Sequence, residues 1–153
     1  MTTASQPVYE KVTDLDQLPD WLSRDDVAQF FHTTMEPYND ELHDVEAALD
    51  YAFVPGRGQG GFLMLVHRDR RLLGALLMLS TGMKGYVPEH ILLFVSVLPE
   101  TRGQGIGGEL VRRSLAECPG EVKLHVEYDN PAKRLYERLG FTSKYAEMRY
   151  SGE

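Results

Sequence analysis

The residues able to do chemistry lie between positions 99 and 136. PETRGQGIGG (Pro99–Gly108) places glycines at 103, 105, 107 and 108 behind Arg102, with Gln104 and Ile106 between them. HVEYDNP (His125–Pro131) brings an imidazole, two carboxylates and an amide into one short stretch, and Tyr136 follows in AKRLYERLGF. Glycine weakens any regular element, so four of them between an apolar run and a helix-like pattern must serve a turn or a close approach. The first N–H groups of a helix lack partners and carry partial positive charge, which makes them a ready anion site. Glycines let a phosphate reach such amides, and Arg102 adds a cation on the approach. The plain alternative is a strand–helix turn built from permissive residues.

Two nucleotide motifs can be weighed against this loop. A dinucleotide fingerprint wants its first glycine directly after a strand and an acid about 20 positions on. Glu127 and Asp129 could supply the acid, but Pro99–Gly103 sets the turn too far from the strand. Too little chain follows for the remaining strands of that fold. A P-loop needs Gly-Lys-Ser/Thr, and the sequence here is Gly-Gly-Glu. The bare G-x-G-x-x-G pattern also occurs at 56–61 (GRGQGG), where it leads into a strand and reads as a flexible loop.

Alternation places His125 and Glu127 on one face of a strand and Leu124 and Val126 on the other. Histidine is the residue type that exchanges protons most readily near neutrality; the plain role is a structural hydrogen bond. Asn130 before Pro131 reads as a helix N-cap. Tyr136 recurs with Ala132, Leu135 and Leu139 at helical spacing, as a core tyrosine would, and a buried phenol still needs a partner. HVE superficially matches the His-x-Glu of zinc deaminases, but no Pro-Cys-x-x-Cys accompanies it, and no His-Glu-x-x-His occurs. No metal is expected.

These groups need a scaffold. The 153 residues suit one domain spanning 1–153, with 42% apolar and 25% charged side chains. The longest apolar runs, Leu72–Leu79 and Ile91–Leu98, are too short to span a bilayer. The first ten residues, MTTASQPVYE, lack the pattern of a secretory signal. A single cysteine, Cys118, fits a reducing cytoplasm. Sixteen basic against 23 acidic residues give a net charge of −7, and no basic patch points to nucleic acid. That field would steer a cationic substrate inward.

Strands are predicted over 7–13, in GFLMLVH and RLLGALLMLS around a tight RDR turn, over about 90–98, in VKLHVEY, and from Phe141 to Tyr150. Helices are predicted over about 24–35, 40–53, 105–117 and 131–139, the first opened by a Ser23/Asp26 capping pair and ended by EPYND. The run at 90–98 is apolar on both faces, as a covered central strand should be.

VLPETRGQGIG (Val97–Gly107), followed by NPAKRLYERLGF (Asn130–Phe141), resembles the GNAT superfamily of N-acetyltransferases. Arg102, Gly105 and Gly107 meet its Arg/Gln-x-x-Gly-x-Gly/Ala motif, and the match covers about residues 90–142. The resemblance implies an α/β (α+β) domain with a mixed, mostly antiparallel sheet, a parallel splayed strand pair and helices on both faces. It implies acetyl-CoA as cosubstrate, with pyrophosphate on the amides of residues 102 to 108 and the pantetheine arm paired with main chain around Val95 and Val97. Asn130 would bond that arm, and Tyr136 would protonate the departing thiolate.

The base is less direct. Some relatives carry Glu or Tyr where this chain has Ile91, which can do neither job. N-terminal-amine acetyltransferases of the superfamily carry a histidine matching His125, so His125 ranks first and Glu127 second. Cys118 lies thirteen residues past Gly105, roughly 20 Å along a helix, too far for a covalent route. Direct transfer in a ternary complex is the expectation. The expected acceptor is a small-molecule or peptide amine; an acidic stretch holding Glu36, Tyr38, Asp40, Glu41, Asp44 and Glu46 could attract a cationic one, its plain reading being a solvated helix face. A non-catalytic acyl-CoA sensor is the alternative. The sequence leaves oligomeric state open, and the resemblance admits a homodimer.

Overall fold

A computed structural model describes residues 5–38 and 40–152; Asn39, within the EPYND break, lies outside the described residues, as do the first four of the N-terminal stretch. Five strands form one sheet in chain order: β1 (Val8–Val12), β2 (Gly61–Arg68), β3 (Arg71–Ser80), β4 (His90–Val97) and β5 (Val122–Lys123). The first four are antiparallel, and β5 runs parallel to β4. The β2–β3 turn places Asp69 and Arg70 at φ 54° and 59°, the left-handed pair that matches a hairpin's twist.

Period-two patterning divides the sheet between two cores. Leu63, Leu65, Ala75, Leu77 and Phe94 face α1 (Arg24–Thr34) and α2 (Leu42–Phe53), which contribute Val27, Phe31, Val45 and Leu49. Phe62, Met64, Val66, Leu76, Met78 and Leu92 face α3 (Ile106–Ala116) and α4 (Ala132–Arg138), which contribute Leu110, Val111 and Tyr136. The central position of β4 thus agrees with its two-faced apolar composition.

Ser23 and Asp26 form the expected capping box. The Asp26 N–H donates to Ser23 Oγ (3.1 Å), and the Ser23 N–H donates to Asp26 Oδ2 (2.9 Å). Arg24 then ties α1 to α2 through Asp50 Oδ1 (2.6 Å) and the Glu46 carbonyl (3.0 Å).

One predicted strand is cut short and another does not form. VKLHVEY pairs only at Val122 and Lys123, opposite His90 and Ile91. Phe141–Tyr150 forms no strand. Both carry strand-like patterning, but a ladder needs a second edge at the right spacing; β4 supplies one only as far as Lys123, and among the described residues 141–150 pairs with none.

Replacing Ser23 by Ala removes an acceptor for an α1 amide and leaves the Asp26 carboxylate without its reciprocal geometry. A loss of about 1 kcal/mol is expected in urea denaturation, with Ser23→Asn close to wild type.

Candidate active site

The site begins with a change of parity in β4. The His90 N–H donates toward the Glu121 carbonyl (3.2 Å), on the β5 side, whereas the Leu98 N–H donates to the Leu73 carbonyl (2.8 Å), on the β3 side. Successive residues of a strand alternate edges, so positions 90 and 98 should face the same way. Leu93 resolves this. It is the extra residue between the pairs Leu92↔Met78 and Phe94↔Leu77, a β-bulge. Beyond it Phe94 and Ser96 share the orientation of Leu98, so the main-chain groups of Val95 and Val97 turn to the edge facing away from β3. The register with β5 ends at Ile91, and that edge is open from Leu92 onward.

The glycine loop closes one end of the open edge. A 3-10 turn, Pro99–Thr101, spends the Arg102 N–H on the Pro99 carbonyl (3.3 Å). Gly103 and Gly105 then adopt φ 84° and 81°, and a Cβ built on either meets nothing within 4 Å. Gly105 caps α3 without a side chain, and the first helical bond runs from the Glu109 N–H to the Gly105 carbonyl (3.1 Å). Among the described residues, the N–H groups of Gly103, Gln104, Gly105, Ile106, Gly107 and Gly108 therefore meet no protein acceptor. The run is one residue shorter than the sequence suggests, because the Arg102 amide is already used. Its guanidinium is also engaged elsewhere: Nη2 donates to the Thr34 carbonyl (2.9 Å), at the negative end of α1. Arg102 ties the loop to α1.

Gly107 and Gly108 sit inside the first turn of α3. A Cβ at Gly107 would meet Val97 Cγ2 at 3.5 Å and Leu135 Cδ2 at 4.0 Å, ordinary van der Waals contacts. Packing does not require glycine there, although glycine costs a helix about 1 kcal/mol relative to alanine.

Asn130 holds the strand–helix junction. Its Oδ1 accepts from the Ala132 N–H (2.9 Å), and its Nδ2 donates to Glu127 Oε1 (3.2 Å). α4 begins at Ala132, one residue later than the sequence suggests, with Pro131 at its N-cap; Asn130 sits one position before the cap and still accepts from the first helical N–H, and both polar ends of its amide have partners within the junction.

Tyr136 is 92% buried, on the α4 face toward the sheet, with its ring edge-on to Phe141 at 5.8 Å. Among the described residues its hydroxyl makes no hydrogen bond. Burial first, and the negative charge of Glu127 second, push its pKa up to about 12. The phenol therefore keeps its proton at neutral pH. His125 and Glu127 are exposed while Leu124 and Val126 are half-buried, so the alternation persists where the ladder has stopped. His125 and Tyr136 line one cavity of about 820 Å³.

Acidic groups gather at the upper rim. Tyr38 Oη donates to the Asp129 carbonyl (3.2 Å), joining the α1–α2 connection to the 127–129 turn. Asp40 has a raised pKa, from burial and then the charges of Asp44 and Glu127, with Arg149 opposing. Cys118 lies beyond the far end of α3, and its thiol is pushed up to about 11, chiefly by burial. Such a thiol is a poor nucleophile.

The family model of the acetyltransferase (GNAT) family matches residues 15–141. No curated protein matches the chain. Among solved structures it is similar to a GNAT-family acetyltransferase from Streptococcus pneumoniae (15% identity, TM-score 0.69, covering 96% of this chain and 98% of that one). It is similar also to the ribosomal-protein-S18-alanine N-acetyltransferase of Escherichia coli (15%, TM-score 0.65, 92% and 80%). A third is an aminoglycoside acetyltransferase from an uncultured soil metagenomic sample, in complex with sisomicin (12%, TM-score 0.62, 96% and 97%). At these identities the likeness concerns the fold.

The Tyr136 environment carries a pH signature. Its pKa rises from 10 in the unfolded chain to about 12 in the folded one, so between these values the folded chain binds more protons. Stability from this group is complete below pH 10 and declines as pH rises toward 12. Urea midpoints measured from pH 9 to 11 should fall more steeply for wild type than for Tyr136→Phe.

Proposed function

The chain belongs to the GNAT family of acetyltransferases, and from that premise we propose that it moves an acetyl group from acetyl-CoA to a primary amine by direct attack. The observation that carries this reading is the run of six amides, Gly103 to Gly108, opening onto the free edge of β4. A diphosphate suits such donors because they are neutral, fixed and reinforced by the α3 dipole. The main chain of Val95 and Val97 offers alternating donors and acceptors to an extended amide-bearing arm, as an added strand would use them.

Gly107, in the first α3 turn, is compatible with the same reading: a Cβ there would make only ordinary contacts with Val97 and Leu135, so the protein's own packing does not call for glycine at that position. The Cβ vectors of Gly103 and Gly105, by contrast, point into open space, where a ligand can approach the loop amides.

In the transfer step the amine nitrogen attacks the thioester carbonyl, its N–H proton passes to a base, and the C–S bond breaks. The protonated Tyr136 phenol donates to the departing thiolate, giving a free thiol and an acetamide. His125 and Glu127 are the two groups placed to take the amine proton, directly or through water. Asn130 keeps Glu127 in place and sets the start of the helix that carries Tyr136. The acidic rim of Asp40, Asp44 and Glu127 favours a cationic acceptor, a small amine or a peptide N-terminus.

Free-thiol release from acetyl-CoA against a broad amine panel tests the reading directly; no release with any amine and no calorimetric binding at millimolar cosubstrate would overturn it. Gly107→Ala should leave stability equal or raised by up to about 1 kcal/mol while weakening acetyl-CoA binding at least tenfold. Equal affinity would remove the phosphate loop from its role. Tyr136→Phe should keep cosubstrate affinity and lower kcat by about 10²–10⁴-fold. In a paired test, the variant at the true base, His125→Ala or Glu127→Gln, flattens the acidic limb of the kcat/KM profile, and the other does not.

A further inference from the structure

Where α3 meets α4, an arginine outside the glycine loop lies over the first turn of α3. Given the acetyl-CoA reading proposed above, on which this rests, we infer that Arg112 reads the phosphomonoester on the cosubstrate's ribose, so that the chain distinguishes coenzyme A from its dephospho form. The six loop amides suit a diphosphate. Coenzyme A bears a further phosphate, a dianionic monoester on its ribose, which those amides do not account for.

Side chains on a helix lean toward its N-terminus, so a residue covers the turn before its own. Arg112 stands one turn after Gly108 and does this: a Cβ built at Gly108 would meet its Nη1 at 3.4 Å and its Nη2 at 3.6 Å. The remaining neighbour of that point is Leu135 Cδ1 of α4, at 3.6 Å. The guanidinium therefore lies where the two helices meet, beside the helical end of the amide run. A longer side chain at position 108 would contest that space, and glycine leaves it to Arg112. Gly107 differs, since its constructed Cβ meets only Val97 and Leu135.

The charges around Arg112 do not balance within the protein. Arg113 Nε donates to Glu109 Oε1 at 2.8 Å, and Arg112 adds longer contacts to Oε2, 3.3 Å from Nε and 3.2 Å from Nη2. One carboxylate thus serves two guanidiniums and leaves a positive charge over. Arg112 Nη1 donates to nothing among the described residues, and the side chain is 55% exposed. Across the junction, Arg134 and Arg138 flank Leu135 one helical turn apart. Both are exposed and, among the described residues, have no acidic partner, because the nearby Glu137 pairs with Lys133 at 3.9 Å. In a chain of net charge −7, this is a local positive field. A guanidinium with spare donors suits the oxygens of a phosphomonoester, which it can engage two at a time.

Calorimetry on the full chain with coenzyme A and with dephospho-coenzyme A tests this. Wild type should bind coenzyme A at least about tenfold more tightly than the dephospho form, the scale of one hydrogen bond to a charged group. Arg112→Gln should lose most of that ratio and leave the affinity for the dephospho form as it was. Its thermal midpoint should stay at the wild-type value, because Arg113 keeps Glu109 paired. Arg112→Lys should restore part of the ratio, and added salt should erode it in wild type. Equal affinity of wild type for the two ligands, or a ratio indifferent to Arg112→Gln, would overturn the role of Arg112 while leaving acetyl transfer intact. Failure of wild type to bind either ligand would instead remove the acetyl-CoA reading, and this role with it.

Discussion

Main-chain polarity that the fold leaves unmet governs this molecule. β4 and β5 share a register at only two positions, and from Leu92 onward the edge of β4 has no neighbour. The Leu93 bulge decides which residues present donors to that edge, and the two left-handed glycines bring a second set of donors to its end. Main-chain groups in that state are satisfied by water or by a ligand. The two sets meet where Gly107 approaches Val97, and the function proposed above has one cosubstrate satisfy both.

The electrostatics of that path are local. The chain carries a net charge of −7, and the one arginine of the glycine loop is turned to the Thr34 carbonyl. An anion at the loop would meet amide dipoles rather than a paired cation. The acidic groups that could oppose it, Asp40, Asp44 and Glu127, act on one another at the rim where α1 joins α2 and β5 runs into α4. The two ends of the site therefore differ in sign: electropositive main chain at one, carboxylates at the other. A substrate pair of opposite charge suits that polarity.

Tyr136 packs against the sheet on the side of Leu92 and Val97, and it also lines the cavity between residues 120–126 and 139–147. Its proton is held by burial and by the Glu127 charge, while Asn130 links Glu127 to the first turn of α4. One cap thereby fixes the carboxylate, the helix and the phenol relative to one another. This economy makes the short stretch from Glu127 to Tyr136 a single mechanical unit.

Elements whose signals are local were legible in the sequence. The capping box at Ser23, the two-faced apolar run of β4, the α3 start at Gly105 and the Asn130 cap follow from residues within a few positions of one another. The motif pair around Arg102 and Asn130 carried the family as well. What depended on a distant neighbour was not legible. The pattern of Phe141–Tyr150 is that of a strand, yet whether a strand forms depends on an edge that only tertiary packing can supply. The bulge at Leu93, which sets the edge faced by Val95 and Val97, arises from the match between β3 and β4. The Arg102 guanidinium goes to the end of a helix 68 residues earlier, a partner no local spacing announces. Sequence determined the chemistry available at each position; tertiary structure decided which main-chain groups were left without partners, because hydrogen-bond satisfaction is settled between segments and not within them.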